Sequence, residues 1–455
     1  MRAFQRTAYS LLFFFLGGAA SFAAPITSIW AGGSGNWSNS ANWINPPGPP
    51  AAGYQVLIDN SNPVSSSVLV DVVTPLLNNV AVDAGDSVTV QQSLSAGTMR
   101  SFGGVGVNNG GVLSIGSGGF VQDQSTAANT VNAGGQFLDT GSYSQGNGST
   151  LVNGTLSTSL LHVTGGSVTA GSGGMLSVGS GGYTQDSSVT TTIDSTGQLL
   201  VTGNYAQGNG TTIADGTLTA ALFHVTGGTV VVGANGQISL ASGGYTQGTA
   251  GTSTSIASGG KVTISGGDYS QELGTTTTVD GSITAANVNN SGTLAGTGVI
   301  NATVKDLGTL SPGDGGVGTT TINGAYSQSG FLDADIAGLG VNDFVGVSGA
   351  ATLGGTLFVD LLNGFVPAAG NSFHLMSYAS RTGVFNTIDA PALSAGEFWQ
   401  PVYGATDFFL TIASGASVPE PASWTFTLAG AILAILMALP RHARTSGGVW
   451  LRRGR

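Results

Sequence analysis

Paired carboxylates are the first residues in this sequence that can support catalysis. Asp83 with Asp86, and Asp333 with Asp335, are the nearest pairs along the chain. Hydrolysis of a glycosidic bond needs two facing carboxylates, one of which acts as an acid. Residues at i and i+2 of a strand share a face, yet aspartates at strand ends are far more often simply solvated. The pairs leave glycoside hydrolysis open without favouring it.

Aspartates also bind calcium, whose preferred ligands are oxygen atoms. A calcium site is conceivable around Asp314, or around Asp333, Asp335 and Asp343. The sequence contains no EF-hand loop and no calcium-binding nonapeptide repeat, which are the patterns that would indicate such a site. We therefore predict no metal ion and no cofactor.

Basic residues are scarce where catalysis would need them. Between the termini the chain has only Arg100, Lys261, Lys305 and Arg381, without a cluster, whereas lyase chemistry on acidic sugars needs Arg or Lys. The 22 acidic residues outnumber the 11 basic ones, which argues against a nucleic-acid partner because phosphate binding depends on Lys and Arg. The chain has no cysteine, which excludes disulfides and thiol catalysis. These features favour a non-enzymatic protein.

The composition predicts the elements that carry these residues. Of 455 residues, 76 are glycine, only 7% are charged and 41% are hydrophobic, against averages of about 7% glycine and about 25% charged residues. Such a chain suits many short β strands joined by tight turns, where glycine supplies the positive φ. We therefore predict an all-β fold.

An internal repeat makes that prediction specific. Residues 143–168 recur at 205–230 without a gap, an offset of 62 residues. The shorter pattern aromatic-x-Gln recurs more widely, and the steps between its first six occurrences are near one or two units of about 20 residues. Its aromatic residues are Phe120, Tyr143, Tyr183, Tyr205, Tyr245, Tyr269 and Tyr326. A unit of this size is typical of one rung of a parallel β-solenoid, so we predict a right-handed parallel β-solenoid (β-helix) in which the 62-residue repeat spans three rungs.

The repeated residues have competing interpretations. The aromatic can be a stacked inward ladder, which the apolar context favours, or an exposed stripe that binds sugars. The glutamine after it is a candidate for an amide ladder between rungs. His162 and His224 are equivalent in the repeat, but three rungs place them about 14 Å apart, too far to share an ion. We expect structural histidines on strands.

The sequence divides into five segments. We assign residues 1–24 to a signal peptide, 25–95 to an N-terminal capping β region, 96–325 to solenoid repeats, 326–415 to a β-rich C-terminal cap and 418–455 to a sorting tail. The first cap contains Trp30, Trp37 and Trp43, for which sugar binding is an alternative to capping. Residues 290–413 resemble the closing region of autotransporter-like β-helix proteins.

The N-terminus has the order of a secretory signal. Arg2 and Arg6 precede an apolar run at residues 11–18, and small residues follow. We predict cleavage after Ala23 or Ala24. The alternative, an uncleaved membrane anchor, is disfavoured because the apolar run is short and a cleavage site follows it.

The C-terminus carries a short motif before an apolar segment. Val418, Pro419, Glu420 and Pro421 precede residues 424–439, which contain no charge and predict a transmembrane helix. Arg441 and Arg444 follow and predict that this end stays cytoplasmic, with the body outside. The simplest interpretation is a plain tail anchor.

Motif, helix and arginines together resemble the PEP-CTERM sorting signal of Gram-negative bacteria. The resemblance covers residues 418–455, and the chain runs eleven residues beyond Arg444, further than many members. It implies recognition of residues 418–421 by an exosortase-type membrane processing enzyme, and an association with exopolysaccharide.

Taken together, the sequence predicts an exported, non-enzymatic surface or extracellular-matrix protein. Its precursor would be held in the membrane by one C-terminal helix, and the mature protein would lie in the cell envelope, on the cell surface or in the matrix. Two alternatives stay open: an autotransporter-like adhesin and a carbohydrate-active β-helix enzyme. Convergent carboxylates with Arg or Lys in a groove would favour the enzyme.

Overall fold

The computed structural model describes residues 24–58, 64–186 and 188–415. These residues form strands and turns, with one short 3-10 helix at Ser40–Asn42. The predicted transmembrane helix and the predicted signal peptide, apart from Ala24, lie outside them.

The strands are short, and most are four residues long. In the first part of the chain they are β1 Thr27–Trp30, β2 Ser34–Asn36, β3 Trp43–Ile44, β4 Gln55–Ile58, β5 Ser67–Val70, β6 Leu77–Val82, β7 Ser87–Val90, β8 Ser93–Ser101, β9 Gly104–Val107, β10 Val112–Gln122, β11 Ala128–Val131, β12 Gln136–Asp139, β13 Ser142–Gln145, β14 Ser149–Val152, β15 Thr155–Val163, β16 Ser167–Ala170, β17 Met175–Gln185, β18 Thr190–Ile193, β19 Gln198–Val201, β20 Asn204–Gln207, β21 Thr211–Ala214 and β22 Thr217–Val225.

The second part continues in the same way. Its strands are β23 Thr229–Val232, β24 Gln237–Gln247, β25 Ser253–Ile256, β26 Lys261–Ile264, β27 Tyr269–Gln271, β28 Thr276–Val279, β29 Ser282–Asn290, β30 Thr293–Gly296, β31 Val299–Asp306, β32 Thr309–Pro312, β33 Thr319–Ile322, β34 Tyr326–Gln328, β35 Phe331–Gly338, β36 Val341–Asn342, β37 Phe344–Val347, β38 Ala350–Leu353, β39 Thr356–Leu361, β40 Ser372–Ser377, β41 Ser380–Gly383, β42 Thr387–Asp389, β43 Glu397–Tyr403 and β44 Asp407–Ser414.

Parallel pairing between successive rungs builds the molecule. One ladder runs from β2 through β5, β7 and β9 to β39 and β42, and a second runs alongside it from β1 to β41. Together they form an all-β parallel solenoid of about 14 turns. The predicted parallel β-solenoid is confirmed. Parallel pairing includes residues assigned to both caps.

Each rung has three straight sides separated by glycine-rich turns. In one rung these are β12, β13 and β14. The first and second sides join into one bent strand in other rungs, such as β10, where the pairing register shifts between Ile115 and Gly119. Alternate residues point inward, so that Val, Leu, Ile and aromatic side chains fill one continuous core. This alternation is the pattern expected of strands with one buried face.

The pairing register explains the repeat lengths. Tyr143 pairs with Leu161, Leu161 with Tyr183, and Tyr183 with Tyr205. The 62-residue repeat therefore spans three rungs, as predicted. The longer steps between aromatic-x-Gln motifs arise because Leu161 and Phe223 occupy the aromatic position in rungs where valine replaces the glutamine.

The C-terminal end departs from the parallel pattern. β36 folds back antiparallel on β35, and β44 pairs antiparallel with both β40 and β43. β35 is also a strand of the parallel ladder, and it carries two of the acidic residues described next.

Candidate functional site

Three carboxylates converge on the outer face near the C-terminal end of the solenoid. Asp333 and Asp335 lie on β35, and Asp360 lies on β39, directly paired with Asp335. One carboxylate oxygen from each of the three residues lies within 4.8 Å of the other two. Strand alternation produces this arrangement, because Leu332 and Ala334 fill the core and turn the aspartates outward.

The acidic group is enclosed although it faces outward. Asp335 is only 7% exposed, and its carboxylate accepts no hydrogen bond from any described residue. Asp333 Oδ2 accepts a hydrogen bond from Ser311 Oγ at 3.2 Å, while its Oδ1 is buried without a partner. Asp360 is exposed and opens the group to solvent.

A fourth carboxylate, Asp343, holds the surrounding backbone. Its Oδ1 accepts a hydrogen bond from the Gly318 amide at 2.7 Å, and its Oδ2 accepts one from the Asp335 amide at 2.9 Å. Burial raises the pKa of Asp343 to about 7, and the charges of Asp335 and Asp333 contribute. Burial and neighbouring carboxylates also raise the pKa of Asp333 and of Asp335.

The other aspartates that the sequence singled out are not part of this group. Asp314 lies in an exposed turn with φ +55°. Asp86 is buried and accepts a hydrogen bond from the Ser66 amide at 2.7 Å. Asp83 lines a surface depression of about 320 Å³ with Phe102 and Gln124. Asp83 and Asp86 therefore differ in environment, and only the pair on β35 gains a third carboxylate.

The histidines lie on strands, three rungs apart. His162 pairs with Thr184, Thr184 with Ala206, and Ala206 with His224. His162 Nε2 lies 3.0 Å from Asp186 Oδ2. The separation predicted from the repeat is confirmed, so the two histidines share no ion.

Buried aromatic residues overturn the sugar-binding alternatives. Tyr183 and Tyr205 are 0% exposed, and their rings are 4.7 Å apart in an inward ladder. Trp30, Trp37 and Trp43 are at most 2% exposed because their indoles pack on one another. The aromatic ladder is confirmed, whereas a sugar-binding stripe and sugar binding by the tryptophans are wrong.

The glutamines of the motif form a network that the amide-ladder hypothesis did not describe. Gln185 Nε2 donates to backbone carbonyls, including that of Thr211 at 3.1 Å. Its Oε1 accepts from Tyr205 Oη at 2.8 Å and from Thr191 Oγ1 at 2.7 Å. Of the described motif glutamines, Gln271 donates to a side-chain amide of the next rung, that of Asn290. The ladder hypothesis is therefore largely wrong, because carbonyls and hydroxyls satisfy most of these amides.

Threonine is the member of this network that sequence reasoning missed. Thr191, Thr212 and Thr254 each bind a tyrosine hydroxyl of their own rung at 2.5 to 2.7 Å. Each follows the tyrosine by seven to nine residues, and this spacing was the available signal.

The predicted sorting residues lie outside the described part of the chain. These are Val418, Pro419, Glu420, Pro421, Arg441 and Arg444, together with Ala23 at the predicted cleavage region. Ala24 is described and exposed. Across residues 24–58, 64–186 and 188–415, no helix is long and apolar enough to cross a membrane.

Comparison with known proteins adds no family to this description. No protein-family model matches the chain, and a search of curated proteins finds no match. The parallel β-solenoid is thus the most specific class that the described residues define.

Proposed function

We propose that this protein is an exported, non-enzymatic component of the cell surface or extracellular matrix. Its sorting would depend on the PEP-CTERM-like tail at residues 418–455 and an exosortase-type processing enzyme. The observation that supports this proposal is the unbroken parallel ladder from β2 to β42, which gives the chain the form of a rod. About 14 turns at roughly 4.8 Å each correspond to a length of roughly 70 Å.

The outer faces of the rod suit a scaffold. Outward positions on the third side are largely Ser and Thr, such as Thr190 and Thr192 on β18 and Thr211 on β21. These short hydroxyl side chains form an uncharged, hydrogen-bonding surface over many rungs. Exopolysaccharide is the partner that this surface and the tail resemblance favour, with no nucleic acid involved.

The distribution of basic residues supports a non-enzymatic role. Arg100 forms an ion pair with Asp123 at 3.1 Å, and Arg381 lies over the Tyr403 ring. Two surface depressions in the described part of the chain, of about 320 and about 450 Å³, have no Lys or Arg in their linings. A lyase acting on acidic sugars would need a cationic group against the substrate, and neither of these linings offers one.

In this proposal the two termini direct the export, membrane retention and processing of the protein. The signal peptide at residues 1–24 directs export, and residues 424–439 hold the precursor in the membrane with Arg441 and Arg444 on the cytoplasmic side. Processing at the Val418–Pro421 motif then leaves the solenoid in the envelope or matrix of a Gram-negative bacterium.

Mass determination of the mature protein tests this route. The full chain is expressed in an exosortase-containing host and in the same host without exosortase. We expect a mature form that lacks residues 1–24 and the apolar tail in the first host, and an intact tail in the second. A Glu420→Ala variant should retain the tail, while the matched control Ser423→Ala should be processed. An intact C-terminus in the exosortase-containing host would show a plain membrane anchor instead.

A further inference from the structure

The acidic group on β35 and β39 could bind a cation, a property that the proposed scaffold function does not require. We infer that Asp333, Asp335 and Asp360 bind a calcium ion on the outer face of the solenoid, beside the β35–β36 hairpin. Asp335 and Asp360 are direct partners in the parallel ladder, and Asp333 is on the same face as Asp335. The ion would therefore connect two successive rungs.

The burial of Asp335 and its lack of hydrogen-bond donors among the described residues distinguish these residues from an ordinary cluster of surface carboxylates. Its side chain is more than nine-tenths buried, it points into the group, and it accepts no hydrogen bond from any described residue. Asp333 Oδ1 is likewise enclosed and unpartnered. A buried carboxylate without donors is costly, and a bound cation removes that cost by direct coordination.

No protein cation performs this role among the described residues. The ion pairs found there involve Asp123, Asp186 and Asp407, and none involves a member of the acidic group. Burial, with the repulsion of the neighbouring carboxylates added to it, raises the pKa of Asp333 and of Asp335. A bound dication would offset this repulsion.

The donor atoms and their spacing indicate calcium. The group offers only carboxylate oxygens, which suit hard cations and not the metals that prefer Cys or His. One oxygen atom from each carboxylate lies within 4.8 Å of the other two, and two oxygens about 2.4 Å from one Ca²⁺ are at most about 4.8 Å apart. Calcium accepts six to eight oxygen ligands in a flexible geometry, whereas magnesium demands near-ideal octahedral geometry and loses its water reluctantly. Three carboxylates from two rungs, open to solvent at Asp360, therefore suit calcium better.

Solvent and the local backbone complete the site. Asp360 is exposed, so water can fill the remaining positions that calcium requires. Asp343 orients the site because its two oxygens accept hydrogen bonds from the Asp335 and Gly318 amides. Asp343 is thus a positioning residue that holds β35 and the loop before β33 in place.

Calorimetric titration of the EDTA-treated full chain with CaCl₂ in about 0.15 M NaCl tests the assignment. We expect one ion per chain with a dissociation constant between about 10⁻⁵ and 10⁻³ M, weaker binding of Mg²⁺, and a higher thermal midpoint with calcium. Asp335→Asn and Asp360→Asn should each weaken binding at least about tenfold, because each removes a charged ligand. Asp360 is exposed, so its variant should fold even if the Asp335 variant does not.

Glu272→Gln is the matched control, since it removes one exposed negative charge from a turn outside the acidic group. It should bind calcium like the wild type. Absence of saturable binding up to about 10 mM CaCl₂ would overturn the site. Binding that survives Asp360→Asn, or that Glu272→Gln weakens equally, would overturn its location, and a Mg²⁺ affinity equal to that for Ca²⁺ would overturn the choice of ion.

Discussion

Among the described residues, most buried polar groups are hydrogen-bonded in the interior of the repeat rungs, whereas a buried carboxylate on the acidic outer face of the last rungs is not. Inside the rungs, Tyr205 Oη contacts Thr212 Oγ1 at 2.7 Å and donates to Gln185 Oε1 of the preceding rung at 2.8 Å. On the outer face, Asp335 is almost as buried as Tyr205, but its carboxylate has no donor among the described residues.

This contrast shows in which part of the molecule the stacking of rungs is enough to provide hydrogen-bond partners for buried polar groups. When similar rungs stack, each one supplies donors and acceptors to its neighbour, so most side chains of the buried polar network have partners without a ligand. Single atoms such as Gln271 Oε1 and Gln328 Nε2 are exceptions. Near the C-terminal end the rungs lengthen and β36 folds back, and the carboxylates lack such partners. A buried carboxylate without a donor costs more than an unpaired neutral atom, so it is the stronger indication of a ligand site.

Truncation of an aromatic side chain in the interior ladder should cause the largest loss of unfolding free energy. Tyr205→Ala leaves a cavity between two aromatic neighbours and removes a partner of Gln185 and Thr212, so we expect a loss of about 3–5 kcal/mol in unfolding free energy. Tyr205→Phe should cost about 1 kcal/mol because it loses only the hydroxyl. Phe398→Ala, at an exposed C-terminal position, should cost less still. Urea unfolding measures all three, and equal losses for Tyr205→Ala and Phe398→Ala would refute the contrast.

The second largest difference in stability should come from the turns, which stack closely in the repeat rungs and not at Gly364 near the C-terminal end. Gly228 has φ +77°, and a Cβ there would lie 1.9 Å from the Gly210 carbonyl of the preceding rung. Gly228→Ala should therefore cost roughly 3 kcal/mol, from backbone strain and overlap together. Gly364→Ala, at φ +69° with no atom within 4 Å of its Cβ, should cost about 1 kcal/mol from strain alone. Thermal unfolding compares them, and a similar cost for both would contradict close rung packing.

The repeat made the solenoid predictable from the sequence. Residues 143–168 and 205–230 align without a gap, so equivalent side chains must fall in equivalent places and the three-rung offset follows. The inward direction of Tyr183 followed from its apolar context. Handedness, the terminal helices and the sorting tail stay predictions, since the described residues do not test them.

The sequence predicted two members of the acidic group and missed the third. Asp333 and Asp335 are neighbours in sequence, so their shared face was foreseen. Asp360 was missed because its pairing with Asp335 depends on the length of the chain between β35 and β39, which no repeat specifies. Burial of Asp335 depends on its packing in the fold, and local patterning does not reveal it. The sequence therefore predicted no metal site where the structure brings three ligands together.

The smallest expected effect concerns Asp306, which stands inside the ladder where other rungs have glutamine. It pairs with Gln328 in the next rung and accepts hydrogen bonds from Asn290 Nδ2 at 2.7 Å and Tyr326 Oη at 3.3 Å. Burial raises the pKa of Asp306 to about 7, against about 3.9 in an unfolded chain. Between these values the native state binds the extra proton, so stability must fall as pH rises from about 4 to about 7.

Asp306→Asn should remove this pH dependence because an amide does not titrate in that range. We expect the wild type to lose roughly 2 kcal/mol between pH 5 and pH 8 through this residue, and the variant to lose correspondingly less. Glu272→Gln, at an exposed turn, should keep the wild-type profile. Urea unfolding across this pH range measures the difference. If Asp306→Asn and the wild type lose stability in parallel, the buried carboxylate carries no proton-linked cost, and the polar network inside the rungs accommodates a charge as readily as an amide.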